Sequence, residues 1–296
     1  MTTAPWLPSA PDAFACFDRA EALAAGTVDP AVLDPVRVAV AGALGHPAEL
    51  DRTPVRVADG ADEPRVATCV DFAEQFVVDV SGITDAQRAA LGEAMGADTF
   101  AFVQALYVVD MFQRGRLALE RLFGTAYGPA PAPATGDLWA TLEEFMRVVA
   151  LLDALDPVTT ELVRLRGARV HHCRVCQSRL SLKAVDASGD PSIFAADADT
   201  TSRPEREQVA LDLADLLVTQ PGLIDDRLVA QVQRLLTPAE ITELVLDVVR
   251  NAANKIAVAL GGDAPVVSEG FEYYDVDATG DVVADVDREV VRAATT

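Results

Sequence analysis

Residues 161–180 read ELVRLRGARVHHCRVCQSRL: two cysteines three apart, Cys173 and Cys176, follow two histidines and sit among five arginines. The rest of the chain has the opposite sign, with a formal charge of −22 over 296 residues and a sequence pI near 4.3. Between Glu161 and Lys183 the cations Arg164, Arg166, Arg169, Arg174, Arg179 and Lys183 face one acid, Glu161. Cationic neighbours lower a thiol pKa from about 8.5 and raise the population of the reactive thiolate. A turn over residues 169–172 would start a new helix near Cys173, adding the partial positive charge of its free N–H groups. A spacing of three puts both sulfurs on one face of a helical turn, where they can bond to each other. The pair therefore reads as one cysteine that attacks and one that resolves. Two small buried side chains are the plain alternative.

Composition narrows the setting. Hydrophobic residues make up 50% of the chain, enough for a large core and against overall disorder. The mean field of so acidic a chain repels nucleic acid and anionic membrane, so neither is expected as a partner. Solubility, or a salt-adapted or GC-rich host, accounts for the acidity, since Lys183 and Lys255 are the only lysines. Residues 1–14, MTTAPWLPSAPDAF, carry prolines and acids where a secretory leader needs a basic start and an apolar run. Apolar stretches fall short of the roughly 18–20 residues of a membrane helix, so a cytoplasmic protein is expected. Cys16, Cys69, Cys173 and Cys176 are too few for a disulfide scaffold. In a reducing compartment a close pair points to redox or metal chemistry.

Outward from the cysteines the pattern is helical. In LTPAEITELVLDVVRNAANKIAVALGG, Ile241, Leu244, Val245, Val248, Val249 and Ala252 recur at the spacing of one buried helix face. Thr237 is the natural N-cap, Pro238 suits the first helical position, Glu240 completes a capping box, and Gly261 and Gly262 end the run. Similar signals predict helices at about 138–153, 157–170, 174–187, 204–219 and 225–236. The predicted class is all-α.

The same outline occurs twice. LDPV stands at 33–36 and at 155–158, each predicted to open a helix with Asp as cap. DFAEQFVVDVSGITDAQRAALGEAM, from Asp71, resembles DLADLLVTQPGLIDDRLVAQVQRLL, from Asp212, about half a chain later. The expectation is a tandem duplication: residues 1–126 a degenerate repeat without Cys-x-x-Cys, residues 138–264 the unit that keeps it, and YGPAPAPATGD at 127–137 the connector. Residues 265–296 form an acidic, less periodic tail, read as an arm packed on a neighbour or a mobile end.

His172 is a candidate base for the thiol, with His171 the weaker candidate. Glu161, in a mostly apolar helix, could face inward and pass a proton toward a cysteine; the alternative is an exposed ion pair. Zinc is the rival reading, because His171, His172, Cys173 and Cys176 supply four donors of the right type. Six residues are an awkward window for a tetrahedron, so no metal and no other cofactor is expected.

ELVRLRGARVHHCRVCQSRLSLKA, followed by an acidic-apolar helix and LTPAEITELVLDVVRNAANKIAVALG, resembles the carboxymuconolactone decarboxylase superfamily, in its alkylhydroperoxidase D-like branch. The resemblance covers about 140–264 and, more weakly, 28–124. In that branch a glutamate precedes the Cys-x-x-Cys by twelve residues, as Glu161 does here. The histidine of the branch four residues past the second cysteine is replaced by Leu180, and the one inside the motif by Val175. The resemblance implies an all-α fold, homo-oligomers and thiol-dependent reduction of hydroperoxides, with Cys176 attacking, Cys173 resolving and Glu161 in the proton relay.

The expected activity is that of a peroxidase-type oxidoreductase acting on a hydroperoxide or disulfide, with a dithiol or protein electron donor. Two alternatives stand beside it. One is a lactone- or carboxylate-processing enzyme that uses Arg164, Arg166 and Arg169 rather than the cysteines. The other is a redox sensor or scaffold that forms the disulfide without turning over.

Overall fold

The computed structural model describes residues 4–46, 49–52, 62–196, 198 and 202–284; the last part of the acidic tail, 285–296, lies outside them. The described chain is mostly helical with one small three-stranded sheet, so the all-α expectation holds for the bulk and needs correcting at one place. In order come α1 (Pro11–Thr27), α2 (Pro30–Ala43), α3 (Glu49–Arg52), α4 (Glu63–Asp79), α5 (Asp85–Met95), α6 (Thr99–Tyr107) and α7 (Gln113–Phe123). After the connector follow α8 (Leu138–Ala150), α9 (Pro157–Val170), α10 (Arg174–Gln177), β1 (Arg179–Ser181) and α11 (Leu182–Ser188). The chain continues through α12 (Glu205–Thr219), α13 (Asp226–Leu235), α14 (Pro238–Asn251), α15 (Asn254–Ala259), β2 (Glu272–Val276) and β3 (Val282–Ala284).

Helix starts follow local chemistry. The side chains of Asp29, Asp62, Asp137, Asp156 and Asp225 accept the first free N–H groups of their helices. Thr84 with Gln87, and Thr237 with Glu240, close full capping boxes. The repeated LDPV behaves differently in its two settings. Asp156 and Pro157 open α9 as expected, whereas α2 already begins at Pro30 behind Asp29, leaving Asp34 and Pro35 inside the helix. Asp29-Pro30 offers the same cap-and-proline signal five residues earlier, and Asp34 turns to Arg37 instead, at 3.1 Å.

The helix predicted at 174–187 is also broken. Residues 179–181 are strand, because β1 pairs in parallel with β2 of the tail, Leu180 opposite Tyr273 and Ser181 opposite Tyr274. β3 returns antiparallel to β2. The described part of the tail thus packs on its own chain. Gly280 makes its tight turn with φ of +85°, and a Cβ there would fall 2.4 Å from the Arg147 carbonyl oxygen, so no side chain fits.

α2 packs on α4, α1 on α8, α9 on α12 and α14, and α14 on α7 and α8. One continuous core runs from Trp6 to Ala259, joining both halves. Phe17 stacks on Phe112 at 4.1 Å, and Phe145 lies 5.3 Å from Phe112, linking α1, α8 and the π-helical turn Val108–Phe112 that connects α6 to α7. A wholly buried Arg114 donates to the carbonyls of Val77 (2.9 Å) and Val218 (2.7 Å), near the C-terminal ends of α4 and α12 where helix carbonyls lack partners. Its charge is met by Asp110 at 2.7 Å, which also pairs with buried Lys255. Among the described residues no helix is long and apolar enough to cross a membrane.

Candidate redox site

α9 ends at Val170, and His172 takes a left-handed turn with φ of +51°, which reverses the chain. Cys173 N–H bonds back to the Ala168 carbonyl at 2.9 Å. Cys173 then caps α10, its sulfur accepting the Cys176 N–H at 3.3 Å. Asp263 holds this turn from outside, accepting from the Arg174 N–H (3.0 Å) and pairing with its guanidinium (2.7 Å). Cys173 and Cys176 are disulfide-bonded, with Cα atoms 5.4 Å apart. Cys173 is fully buried, while Cys176 is half-buried and lines a cavity of about 160 Å³ with Arg164, Arg179, Arg250, Asn254 and Tyr274.

The local excess of cations is answered by acids from distant parts of the chain. Arg166 pairs with Asp215, Arg174 with Asp263 and Arg179 with Glu272; Arg169 donates to the Phe194 carbonyl. The positive field read from 161–183 is therefore largely compensated in the fold. Arg164 is engaged by Glu161, Arg166 by Asp215 and Arg169 by the Phe194 carbonyl, so each of the three already has a partner within the chain. Arg250, which the sequence did not single out, lines the Cys176 cavity while donating to neutral acceptors, the Met146 carbonyl (2.8 Å) and Asn251 Oδ1 (3.3 Å).

Glu161 faces inward, 2% exposed. Arg164 grips both its oxygens at 2.7 Å, the Ser181 N–H donates at 3.0 Å, and the Tyr274 hydroxyl donates at 2.9 Å. The same Arg164 donates to the Cys176 carbonyl at 2.9 Å, so one guanidinium ties the carboxylate to the cysteine turn. Burial and the neighbouring Glu161 push the Tyr274 phenol upward, against the pull of Arg164. Leu180 is buried in a small separate cluster with Leu162, Leu165, Ala184, Val185 and Phe194. Tyr274 was not legible as a site residue, because it lies 98 positions after Cys176 in a tail without helical period.

The structure brings Glu161, Cys173 and Cys176 together through Arg164 and leaves His172 on an exposed turn, with Asp79 as an electrostatic neighbour and no share in the lining of the Cys176 cavity. His171 turns inward and donates from Nδ1 to Asn254 Oδ1 at 2.9 Å, joining it to a residue of the cavity wall. Burial, with Lys255 nearby, holds its pKa down to about 3, so the ring is neutral at ordinary pH. No group of three or more His, Cys, Asp or Glu among the described residues could hold a metal ion.

The chain is similar to two Mycobacterium tuberculosis proteins, the uncharacterized protein MT2376 of strain CDC 1551 / Oshkosh and the uncharacterized protein Rv2313c of strain ATCC 25618 / H37Rv. Each is 40% identical to it over 259 residues, covering 84% of this chain and 90% of the relative. No family model matches the chain. No solved structure matches it.

Proposed function

The chain belongs to the family of the mycobacterial proteins MT2376 and Rv2313c, and for it we propose a thiol-dependent oxidoreductase that reduces hydroperoxides, or exchanges disulfides, at Cys173 and Cys176. The observation that carries this reading is the bonded pair itself, with one sulfur buried and the other at a cavity. The exposures match the roles implied by the resemblance to the alkylhydroperoxidase D-like branch, Cys176 meeting substrate and Cys173 resolving. In the reduced chain the Cys176 thiolate attacks the outer oxygen of a hydroperoxide. The O–O bond breaks, sulfur takes that oxygen as a sulfenic acid, and the alkoxide leaves with a proton as alcohol. The Cys173 thiolate then attacks the Cys176 sulfur and expels water, giving the disulfide. A dithiol or protein dithiol donor returns the pair to the reduced state.

The relay proton has a route without the missing histidine. Tyr274 hydrogen-bonds Glu161 and shares the cavity wall with Cys176, so we assign it the place between carboxylate and sulfur. Arg250 supplies the positive charge that favours a thiolate at the mouth.

A tandem duplication is part of the same proposal. It is supported by matched order and packing: α4, a single 3-10 turn at Val80–Gly82 and α5 in the first half, α12, a 3-10 turn at Pro221–Leu223 and α13 in the second. α2 lies on α4 as α9 lies on α12. Homo-oligomer formation belongs to the reading as well and is read by light scattering on the purified chain.

The deciding experiment is steady-state turnover of cumene hydroperoxide with dithiothreitol, comparing the natural chain with Cys176→Ser. Turnover present in the first and abolished in the second is expected. Equal rates remove the proposal, and disulfide formation without turnover in the natural chain leaves a sensor or scaffold.

A further inference from the structure

Beside the Cys176 cavity lies a second one of about 280 Å³, and Arg164, Arg250, Asn251 and Tyr274 stand in the walls of both. Its floor is one face of α14, where Glu243 and Asp247, four residues apart, point the same way. Asp247 is 2% exposed, and its Oδ2 has no hydrogen-bond partner among the described residues. One turn further, Asn251 Nδ2 is likewise buried and unpartnered. Glu243 is 3% exposed and has Oε2 engaged by the N–H groups of Ala154 (2.5 Å) and Leu155 (3.2 Å). Leaving a buried carboxyl oxygen without a partner is costly whether the group is charged or neutral, so such a group in a cavity marks a site that awaits a donor. Val149, Leu152, Leu155 and Val276 make the walls apolar, and exposed Leu151, Asp153 and Lys183 stand at the rim.

Charge decides the class of ligand. On α14 two carboxylates, Glu243 and Asp247, face one guanidinium, Arg250. From α9, Glu161 and Arg164 cancel each other. Lys183 of α11 and Asp153 of the turn between α8 and α9 oppose one another at the rim, and β2 adds Asp275 and the neutral Tyr274. With both floor carboxyl groups ionised, the lining groups leave two negative charges in excess, Asp275 included. An anion is repelled, and a metal ion finds no cluster of three ligands. The apolar walls suit a short hydrocarbon chain.

We propose that this cavity binds a small organic cation, a primary ammonium held between the Asp247 and Glu243 carboxylates with its alkyl chain along Val149, Leu152 and Leu155. Burial raises both carboxyl groups, Glu243 to about 7 and Asp247 to about 8, so the unliganded floor holds protons near neutrality. Ligand binding displaces them, and affinity therefore rises as pH climbs from 6 towards 9. The site stands on this cavity alone and does not depend on redox chemistry at Cys176.

The test is isothermal titration of the full-length chain with n-butylamine at pH 8.5, with n-butanol, sodium butyrate and magnesium chloride as comparison titrants. Saturable binding of the amine alone is expected. Asp247→Asn, folded by circular dichroism, weakens it at least about tenfold, as loss of one charge-assisted hydrogen bond predicts. Titration at pH 7 in two buffers of different ionisation enthalpy reads proton release on binding. Repeating it with Cys173→Ser/Cys176→Ser gives the same affinity, which separates this site from the redox proposal. Absence of amine binding, equal affinity in Asp247→Asn, or equal binding of butanol or magnesium overturns the inference.

Discussion

The Tyr274 hydroxyl lies 2.9 Å from Glu161 Oε2, so a residue of the tail meets the carboxylate that sits twelve positions before the first cysteine of the pair. The other partners of Glu161 are a guanidinium and a backbone amide, which leaves the phenol as the partner with a hydroxyl proton that also borders the Cys176 cavity.

Tyr274→Phe keeps the ring and removes that proton. Hydroperoxide turnover should fall by roughly 10²-fold, the scale of general acid–base assistance. Stability should fall by only about 1 kcal/mol for one lost hydrogen bond. Turnover and denaturant midpoint on the same sample check both, and unchanged turnover takes Tyr274 out of the proton path.

On the proposed mechanism, Cys173→Ser removes the resolving thiol and should strand the first intermediate. One equivalent of hydroperoxide should leave Cys176 as a sulfenic acid, seen by mass spectrometry as a thioether adduct with dimedone, formed with loss of the sulfenic oxygen as water. Labelling of Cys16 or Cys69 instead would contradict the assignment; both are buried, with thiols pushed up to about 11.

Asp247 gives stability a sign opposite to that of most carboxylates. Its folded pKa of about 8 stands above an unfolded value of about 3.9, so the folded state binds the extra proton between the two. Its contribution is fully present below about pH 4 and is lost as pH rises through about 8. Asp247→Asn should therefore be more stable than the natural chain at pH 8, the difference shrinking towards pH 5. Thermal melts across that range read it.

His171 works the other way. Held to about 3 in the fold against about 6.5 unfolded, it costs stability as pH falls between those values, because the unfolded chain then binds the additional proton. His171→Gln should flatten the acid side of the stability profile from about pH 6.5 downward, measured as the difference between variant and natural chain in urea.

Asp110→Asn removes the shared acceptor of Arg114 and Lys255. Two buried cations would then lack their counter-charge, a loss of about 3–5 kcal/mol in a denaturant melt.

Helix starts were legible because a cap is chemistry within four residues: Asp156-Pro157 and Thr237-Pro238 both open helices where the sequence puts them. The strand at Arg179–Ser181 was not, since its partner Glu272–Val276 is more than ninety residues away and nothing local marks the pairing. The same distance hid the charge balance of the cysteine turn. Asp215, Asp263 and Glu272 neutralise arginines that look uncompensated in a window of twenty residues. Cys173 at the start of α10 and inward-facing Glu161 could be anticipated from spacing, because both follow from helical period. Tyr274, Arg250 and Asp247 could not, because their meaning comes from what the fold sets opposite them.

Arg114 clasps the end of a helix from each half, and Val249 packs so closely on α7 that a methyl group on Gly115 would come within 2.9 Å of it. Residues 138–264 consequently cannot be cut free as a smaller unit: alone they would expose the apolar seam of α14 to water and strand the Val218 carbonyl that Arg114 serves. The first half is masonry for the second, and protein engineers seeking a shorter chain must prune its surface loops rather than discard it.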